Sequence, residues 1–323
     1  MQNIASLVVV LGTGGTIAGT AASSSDDSGY TAAQLSITQL LATVPELSGV
    51  PIESEQVAQI DSKDMSHAIW QALALRVAYH LARAEVAGIV ITHGTDTLEE
   101  TAYFLHRVLA PTKPVVLTGA MRPATSAEAD GPRNLLDAVA VARQSADAGL
   151  RGVLAVLHGT VHGARQVSKA HPARLDAFDS GEAGPLAFVE GGALRCLAAQ
   201  GATPASGHLP VLTAALHCAV ADWPRVEIVV SHAGASGAAV RALCAHGVEG
   251  LVVAATGNGT LHDELEAALL AAQAQGIAVM RSARSGDGRV RQPGAKGLPG
   301  AGDLSPVKAR IELMLALMPP GAP

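Results

Sequence analysis

Leu7-Val8-Val9-Val10-Leu11-Gly12-Thr13-Gly14-Gly15-Thr16-Ile17-Ala18-Gly19 is a short apolar run that passes directly into a glycine-rich loop carrying hydroxyls. So brief an aliphatic run, closed by glycines, reads as a buried strand. A second stretch of the same design follows roughly eighty residues on. There Gly88-Ile89-Val90-Ile91 leads into Thr92-His93-Gly94-Thr95-Asp96-Thr97-Leu98-Glu99-Glu100. In both, a threonine sits just past a strand end, with glycines that let backbone amides approach a ligand. In open parallel sheets the active crevice lies at the carboxyl ends of the strands, so the two loops can face one substrate.

Outward from these stretches, short aliphatic runs alternate with helical patterns, the signature of stacked βαβ units. Strand-like runs fall at 7–11, 52–60, 88–92, 114–118 and 152–157, and helical patterns at 66–85, 98–109 and 135–145. Thr97 with Glu100 predicts a capping box ahead of Ala102, Leu105 and Val108. That places Thr95 and Asp96 on the strand-to-helix turn. The pattern weakens from 197 to 222, where Gly-Ala-Thr-Pro-Ala-Ser-Gly at 201–207 reads as linker with a short structured middle. A second series then begins, with strands at 226–230, 250–254 and 277–280 and helices at 237–245, 262–275 and 306–317. Pro306 suits a helix entry. The stretch 285–299, dense in Gly, Arg and Pro, predicts a surface loop. The expected fold is α/β in two domains, with residues 1–198 as the N-terminal catalytic domain, 199–222 as linker and 223–323 as a smaller C-terminal domain.

The 323 residues are 49% hydrophobic and 15% charged, ample for a sizeable core. Aromatics are only 2%, so alanine and branched aliphatics must build that core. A net charge of −6 and a pI near 6.0 argue against nucleic acid or an anionic membrane as partner. Met1–Ser6 lacks a positively charged n-region, so the apolar run after it reads as strand rather than signal peptide. No stretch is long enough to span a bilayer. Cys196, Cys218 and Cys244 are an odd, widely spaced set and read as buried free thiols of a cytoplasmic protein.

Several lookalikes fall away. A G-x-G-x-x-G fingerprint needs glycine at 17, where Ile17 stands, and no P-loop lysine follows. The acidic residue that a nucleotide-binding module carries about twenty positions later is also missing. Gly234-Ala235-Ser236-Gly237-Ala238 misses the nucleophile elbow by its final glycine. His158 and His162 are flanked by Gly159 and Gly163 and lack a completing Glu, so they read as turn histidines rather than zinc ligands. His93 reads as structural.

A neutral threonine hydroxyl is a poor nucleophile and needs a base within hydrogen-bond reach. Lys169, in Ala164-Arg165-Gln166-Val167-Ser168-Lys169, follows the strand at 152–157 and should return to the same crevice. A lysine withdrawn from water holds its proton less tightly and can accept one. Asp96 can orient it, and Thr95 can relay or attack.

Together the two threonine loops and their spacing resemble the signature of the bacterial-type L-asparaginases, and the resemblance runs from the first strand to the last helix. It implies hydrolysis of L-asparagine to L-aspartate and ammonia. Thr16 would be the nucleophile, and Thr95, Asp96 and Lys169 the rest of the catalytic set. Tyr30, in Ser28-Gly29-Tyr30-Thr31, matches the lid tyrosine, and the Ser/Asp/Gly-rich segment 20–29 has the composition of a closing lid. Ser62, in Asp61-Ser62-Lys63-Asp64-Met65, matches the residue that holds the substrate α-carboxylate. Asp61 joins it in the substrate-binding set, and Asp96 matches the group that holds the α-ammonium. Amides near Gly15 and Thr95 would bind the oxyanion. Asn258, in Gly257-Asn258-Gly259, is similar to a loop that reaches a neighbouring subunit's site. The resemblance also implies a homotetramer, a flavodoxin-like C-terminal domain and no metal or organic cofactor.

Two departures bear on substrate choice. Lys63 stands where many relatives carry Gln or Glu, and Gly286-Asp287-Gly288-Arg289-Val290 stands where periplasmic relatives often place a glutamate. A glutaminase-asparaginase is the alternative enzyme. The amidotransferase relatives that act on charged tRNA fit less well, because no basic surface is evident.

Overall fold

A computed structural model describes residues 7–24, 29–197, 214–286, 288–290 and 297–319. The chain divides into two compact units, Met1–Val211 and Leu212–Pro323. In the first, the elements in chain order are β1 Leu7–Gly14, α1 Ile37–Ala42, β2 Ile52–Ile60, α2 His67–Leu81, β3 Val86–Thr92, α3 Leu98–Leu109, β4 Val115–Thr118, α4 Gly131–Gln144 and β5 Val153–Leu157. Short strands then follow: β6 Thr160–Gly163, β7 Ser168–Lys169, β8 Phe178–Asp179, β9 Ala187–Glu190 and β10 Ala193–Cys196.

Eight of these strands form one sheet in the order β10-β9-β6-β5-β4-β3-β1-β2. From β2 to β5 every pairing is parallel, while β6, β9 and β10 add an antiparallel edge. Strands β1, β3, β4 and β5 are apolar at nearly every position because both faces are covered, whereas the edge strand β2 carries Glu53, Ser54, Glu55, Gln56 and Gln59 and has no buried residue. Val8, Val10, Val90, Val116, Leu154 and Val156 pack with Ile37 and Leu40 of α1 and Leu135 and Ala138 of α4. Val9, Leu11, Ile89 and Ile91 are equally buried and alternate with that set, so they face the other side.

The chain leaves β1 for β2 on one flank, then crosses to β3 on the other flank of β1. The carboxyl ends of β1 and β3 therefore lie at a switch in winding direction, where open α/β sheets place their ligand crevice. Thr16 follows one of these strands and Thr95 the other.

The second unit contains α5 Ala214–His217, β11 Val226–Val230, α6 Ala238–Ala245, β12 Gly250–Ala255, α7 Asp263–Ala274, β13 Ala278–Ala283 and α8 Pro306–Leu317. Its three described strands form a parallel sheet in the order β11-β12-β13. Leu251 and Val253 pack with Val240 of α6 and Leu265 and Leu269 of α7. Gly250 backs onto Leu313 and Leu317 of α8, so the sheet is again covered on both faces.

Several expectations change. The helix predicted over 66–85 stops at Leu81, and β3 starts at Val86 because Leu7 pairs there. Helix α4 starts at Gly131 rather than 135, since Pro132 is at home in a first turn. Thr97 does not form its capping box: its hydroxyl donates to the Ser62 carbonyl at 2.8 Å instead. No disulfide joins the cysteines, and they are not buried: Cys196 is exposed and the other two are half-buried. His158 is a turn residue, whereas His162 lies buried in β6 against the Ser180 hydroxyl at 2.8 Å. The predicted linker is described only from 214, where α5 and a 3-10 turn at Val220–Asp222 lie, and its earlier part is outside the described residues. Among the described residues no helix is long and apolar enough to cross a membrane.

Candidate active site

Three loop segments converge where β1, β2 and β3 end. Thr16 opens a 3-10 turn directly after β1, reached through Gly15 at φ 83°. A side chain at Gly15 would collide with the backbone of Gly94, and one at Gly94 would meet the Ser62 hydroxyl at 2.5 Å. The two threonine loops are thus packed backbone to backbone, and only glycine allows it. Ser62 joins them as a buried hub. Its hydroxyl accepts the Asp96 amide at 3.2 Å while its carbonyl accepts the Thr97 hydroxyl.

Two polar pairs face this junction. The Thr16 hydroxyl lies 2.7 Å from the Tyr30 hydroxyl. Tyr30 is held beside it by reciprocal bonds between Thr20 and Thr31, both 2.9 Å, which close the base of the predicted lid. Positions 25–28 of that lid lie outside the described residues. The Lys169 ammonium donates to the Thr95 hydroxyl at 2.9 Å and to the Asp96 carboxylate at 2.6 Å. Lys169 is 16% exposed and Asp96 55%, so the pair sits at the mouth with its lysine end inward. Thr16 and Thr95 are both buried.

Other predicted residues stand differently. Asp61 is committed to Lys63, whose ammonium it holds at 2.7 Å while Asp64 holds it at 3.2 Å. The Gly15 amide does not face a substrate oxyanion, because it donates to the Ile60 carbonyl at 2.8 Å. Asn258 lies in the second unit, in the turn that Thr256 and Thr260 close by reciprocal backbone bonds. Asp287 is outside the described residues.

His93 lies beneath the site, and its ring bonds to neither polar pair. Its Nδ1 faces the Gly94 carbonyl at 2.7 Å and its Nε2 the Thr101 hydroxyl at 2.9 Å, and that hydroxyl accepts from the Trp70 indole at 2.9 Å. A carbonyl only accepts, so Nδ1 carries the proton, and Thr101 donates to a neutral Nε2. Burial pushes the imidazole pKa down to about 4, which agrees with that tautomer.

Asp130, Asn134 and Glu99 also support the site, although no motif in the sequence marks them. The Asp130 carboxylate accepts the Met121 and Arg122 amides, and the Asn134 amide donates to the Gly119 carbonyl at 3.0 Å. Together they shape the loop after β4, where Gly119 backs onto Thr95. Glu99 accepts the Lys169 amide at 3.2 Å. A carboxylate in the first turn of α3 is the signal that was visible for Glu99, but its partner lies seventy residues away.

A doubly wound sheet with hydroxyls, a lysine and a carboxylate at its switch point defines a hydrolase-type site. Residues 7–200 match the model of the asparaginase N-terminal domain and 225–319 that of the glutaminase/asparaginase C-terminal domain. The chain belongs to the asparaginase family, and it is an amidohydrolase. It is 40% identical over 319 residues to L-asparaginase 2 of Escherichia coli strain K12, spanning 96% of this chain and 88% of that one. It is likewise 40% identical over 317 residues to the glutaminase-asparaginase of Pseudomonas fluorescens biotype A, spanning 96% and 86%. The crystal structure of a probable cytoplasmic L-asparaginase from Campylobacter jejuni superposes with a TM-score of 0.88 at 37% identity, covering 97% of this chain and 95% of that one.

Proposed function

We infer that the protein is an L-asparaginase that hydrolyses the side-chain amide of L-asparagine through Thr16. The observation that carries the reading is the pair of threonines on abutting loops, one bonded to Tyr30 and the other to Lys169. The Thr16 oxygen attacks the amide carbon and passes its proton toward Tyr30. The carbonyl oxygen takes the negative charge, with the amides of Thr16 and Thr95 as its donors, since the Gly15 amide is engaged. Removing a single such donor typically costs about 3–4 kcal/mol of transition-state stabilisation. The C–N bond then breaks, the proton that Thr16 gave up is relayed by Tyr30 to the nitrogen while the Lys169–Thr95 pair steadies the charge, and ammonia leaves an acyl-enzyme. Water cleaves the ester to give L-aspartate and restores the Thr16 hydroxyl. Ser62 receives the α-carboxylate and Asp96 the α-ammonium.

The same reading assigns catalysis to residues 1–198, the linker to 199–222 and the smaller domain to 223–323. It makes the protein a homotetramer in which Asn258 completes a neighbouring site. It places the chain in the cytoplasm, as three cysteines not joined by a disulfide favour. A relative from Haemophilus influenzae is a probable periplasmic L-asparaginase, so cell fractionation is the check on location. Light scattering on the purified protein reads the tetramer. The function itself is tested by ammonia release from L-asparagine, with thermal shift against L-aspartate, NAD and ATP alongside. Release with stabilisation by aspartate alone is expected. No release, or stabilisation by a nucleotide alone, overturns the reading.

A further inference from the structure

Lys169 must be held against Thr95 for the proposed chemistry, yet the main sheet does not hold it. It lies in the two-residue strand β7, which among the described residues pairs with the equally short β8 alone. In that ladder the next amide, of Ala170, turns toward the Ala177 carbonyl at 2.8 Å. The Lys169 amide therefore points the other way, out of the ladder. Glu99 meets it there. One carboxylate oxygen of Glu99 accepts the Lys169 amide at 3.2 Å and lies 3.4 Å from the Ser168 hydroxyl. Glu99 stands in the first turn of α3, three residues beyond Asp96, on the segment that presents Thr95 and Asp96 to the Lys169 ammonium. Both ends of Lys169, amide and ammonium, are thus fastened to one stretch of chain, residues 95–99.

We propose that Glu99 is a positioning residue, which sets the reach of Lys169 to Thr95 by bracketing the lysine's own backbone to the start of α3. It touches neither substrate nor reacting atoms. Without the bracket, the Lys169 backbone is registered to α3 only through the short β7–β8 pair and the lysine's own ammonium bonds to Thr95 and Asp96. Misplacement by about 1 Å at a reacting group can lower the rate by roughly a hundredfold. The inference rests on the Lys169 role proposed above.

The test uses the purified full chain with Glu99→Ala, Glu99→Gln, Lys169→Met and the double variant Glu99→Ala/Lys169→Met. Glutamine keeps an acceptor oxygen at the bracketing position, whereas alanine removes it. Glu99→Ala should lower kcat about ten- to a hundredfold, while KM stays within about twofold because the substrate's α-groups are held elsewhere. Glu99→Gln should recover to within about threefold of wild type, as a retained hydrogen bond implies. The double variant should be no slower than Lys169→Met alone, since residues acting through one group are non-additive. A folded Glu99→Ala protein with wild-type kcat overturns the inference. So does a Glu99→Gln protein as slow as the alanine variant, or a further loss in the double variant. Wild-type turnover by Lys169→Met would instead bring down the Lys169 reading itself.

Discussion

His93 offers the most quantitative test of how the site is supported. It is fully buried, and its pKa falls from the ordinary 6.5 to about 4. The cause is loss of water around the imidazolium, only partly offset by the bond to the Gly94 carbonyl. The folded state thus favours the neutral ring. The stability this confers is present in full above pH 6.5 and is lost as pH falls toward 4, because the unfolded chain binds the proton first. The gap of 6.5 − 4 = 2.5 units corresponds to about 3.4 kcal/mol at 1.36 kcal/mol per unit. At pH 5.0 the chain has moved about 1.5 units into that window, which removes about 2 kcal/mol.

The experiment compares wild type with His93→Gln by urea unfolding at pH 7.5 and 5.0, at one protein concentration. Glutamine can still accept from Thr101 but does not titrate. Other ionisable groups contribute to both proteins, so the difference between the two losses isolates the ring. Wild type should lose about 2 kcal/mol more than the variant between those pH values. Ring nitrogen shifts should show a neutral Nδ1–H tautomer at pH 5.5. Equal losses, or an imidazolium at pH 5.5, would refute the reasoning and mean that water reaches the ring.

Thr16→Ala and Thr95→Val should each lower kcat by several orders of magnitude, as losing a unit of a catalytic set does; either variant keeping more than about a tenth of wild-type turnover with native circular dichroism removes its residue from the mechanism. Gly94→Ala places a methyl 2.5 Å from the Ser62 hydroxyl and 3.1 Å from Gly15, an overpacking expected to cost about 1–3 kcal/mol. Its melting temperature and kcat/KM should both drop, and an unchanged pair would mean that the loops separate freely. Glutamine is one methylene longer than asparagine, so a site that clamps both α-groups should favour asparagine by at least about tenfold in kcat/KM. Steady-state kinetics on both amides decides it, and a ratio near one promotes the glutaminase-asparaginase alternative, an activity that the Pseudomonas fluorescens relative's name carries.

Much of the framework was legible because buried parallel strands write themselves as aliphatic runs. The run at 226–230 and the helices at 98–109 and 306–317 coincide with β11, α3 and α8, and 52–60 coincides with β2 although that edge strand is half polar. Helix α1 falls outside the helical patterns of the sequence although Ser36 and Gln39 form a full capping box, whereas the same signal at Thr97 forms none. The two cases differ in tertiary demand. At position 97 the hydroxyl is turned toward the Ser62 carbonyl, and it makes no bond to the Glu100 amide that a cap would satisfy. Strands β6 to β10 escaped notice because each has at most four residues, too few to establish an alternation. The cysteines depart from the expected burial because residue type alone does not fix a side chain's depth.

The site was legible in part for a related reason. Thr16 and Thr95 follow strands whose ends are visible in the sequence, so their meeting is a consequence of sheet order. The glycines between them had a readable purpose too, since close backbone approach is what glycine alone permits. Lys169 belongs to no such regular element. Its place depends on Glu99 at its amide and on Thr95 and Asp96 at its ammonium, and such long-range bonds leave no period in the sequence. Ser62 acts in the same way, tying the loop after β2 to the start of α3 through one hydroxyl and one carbonyl. Strand order therefore delivers the hydroxyls to one crevice, whereas isolated polar brackets set the distance between them and the lysine. Substitutions in the strands should accordingly register first in stability, and substitutions at the brackets first in kcat.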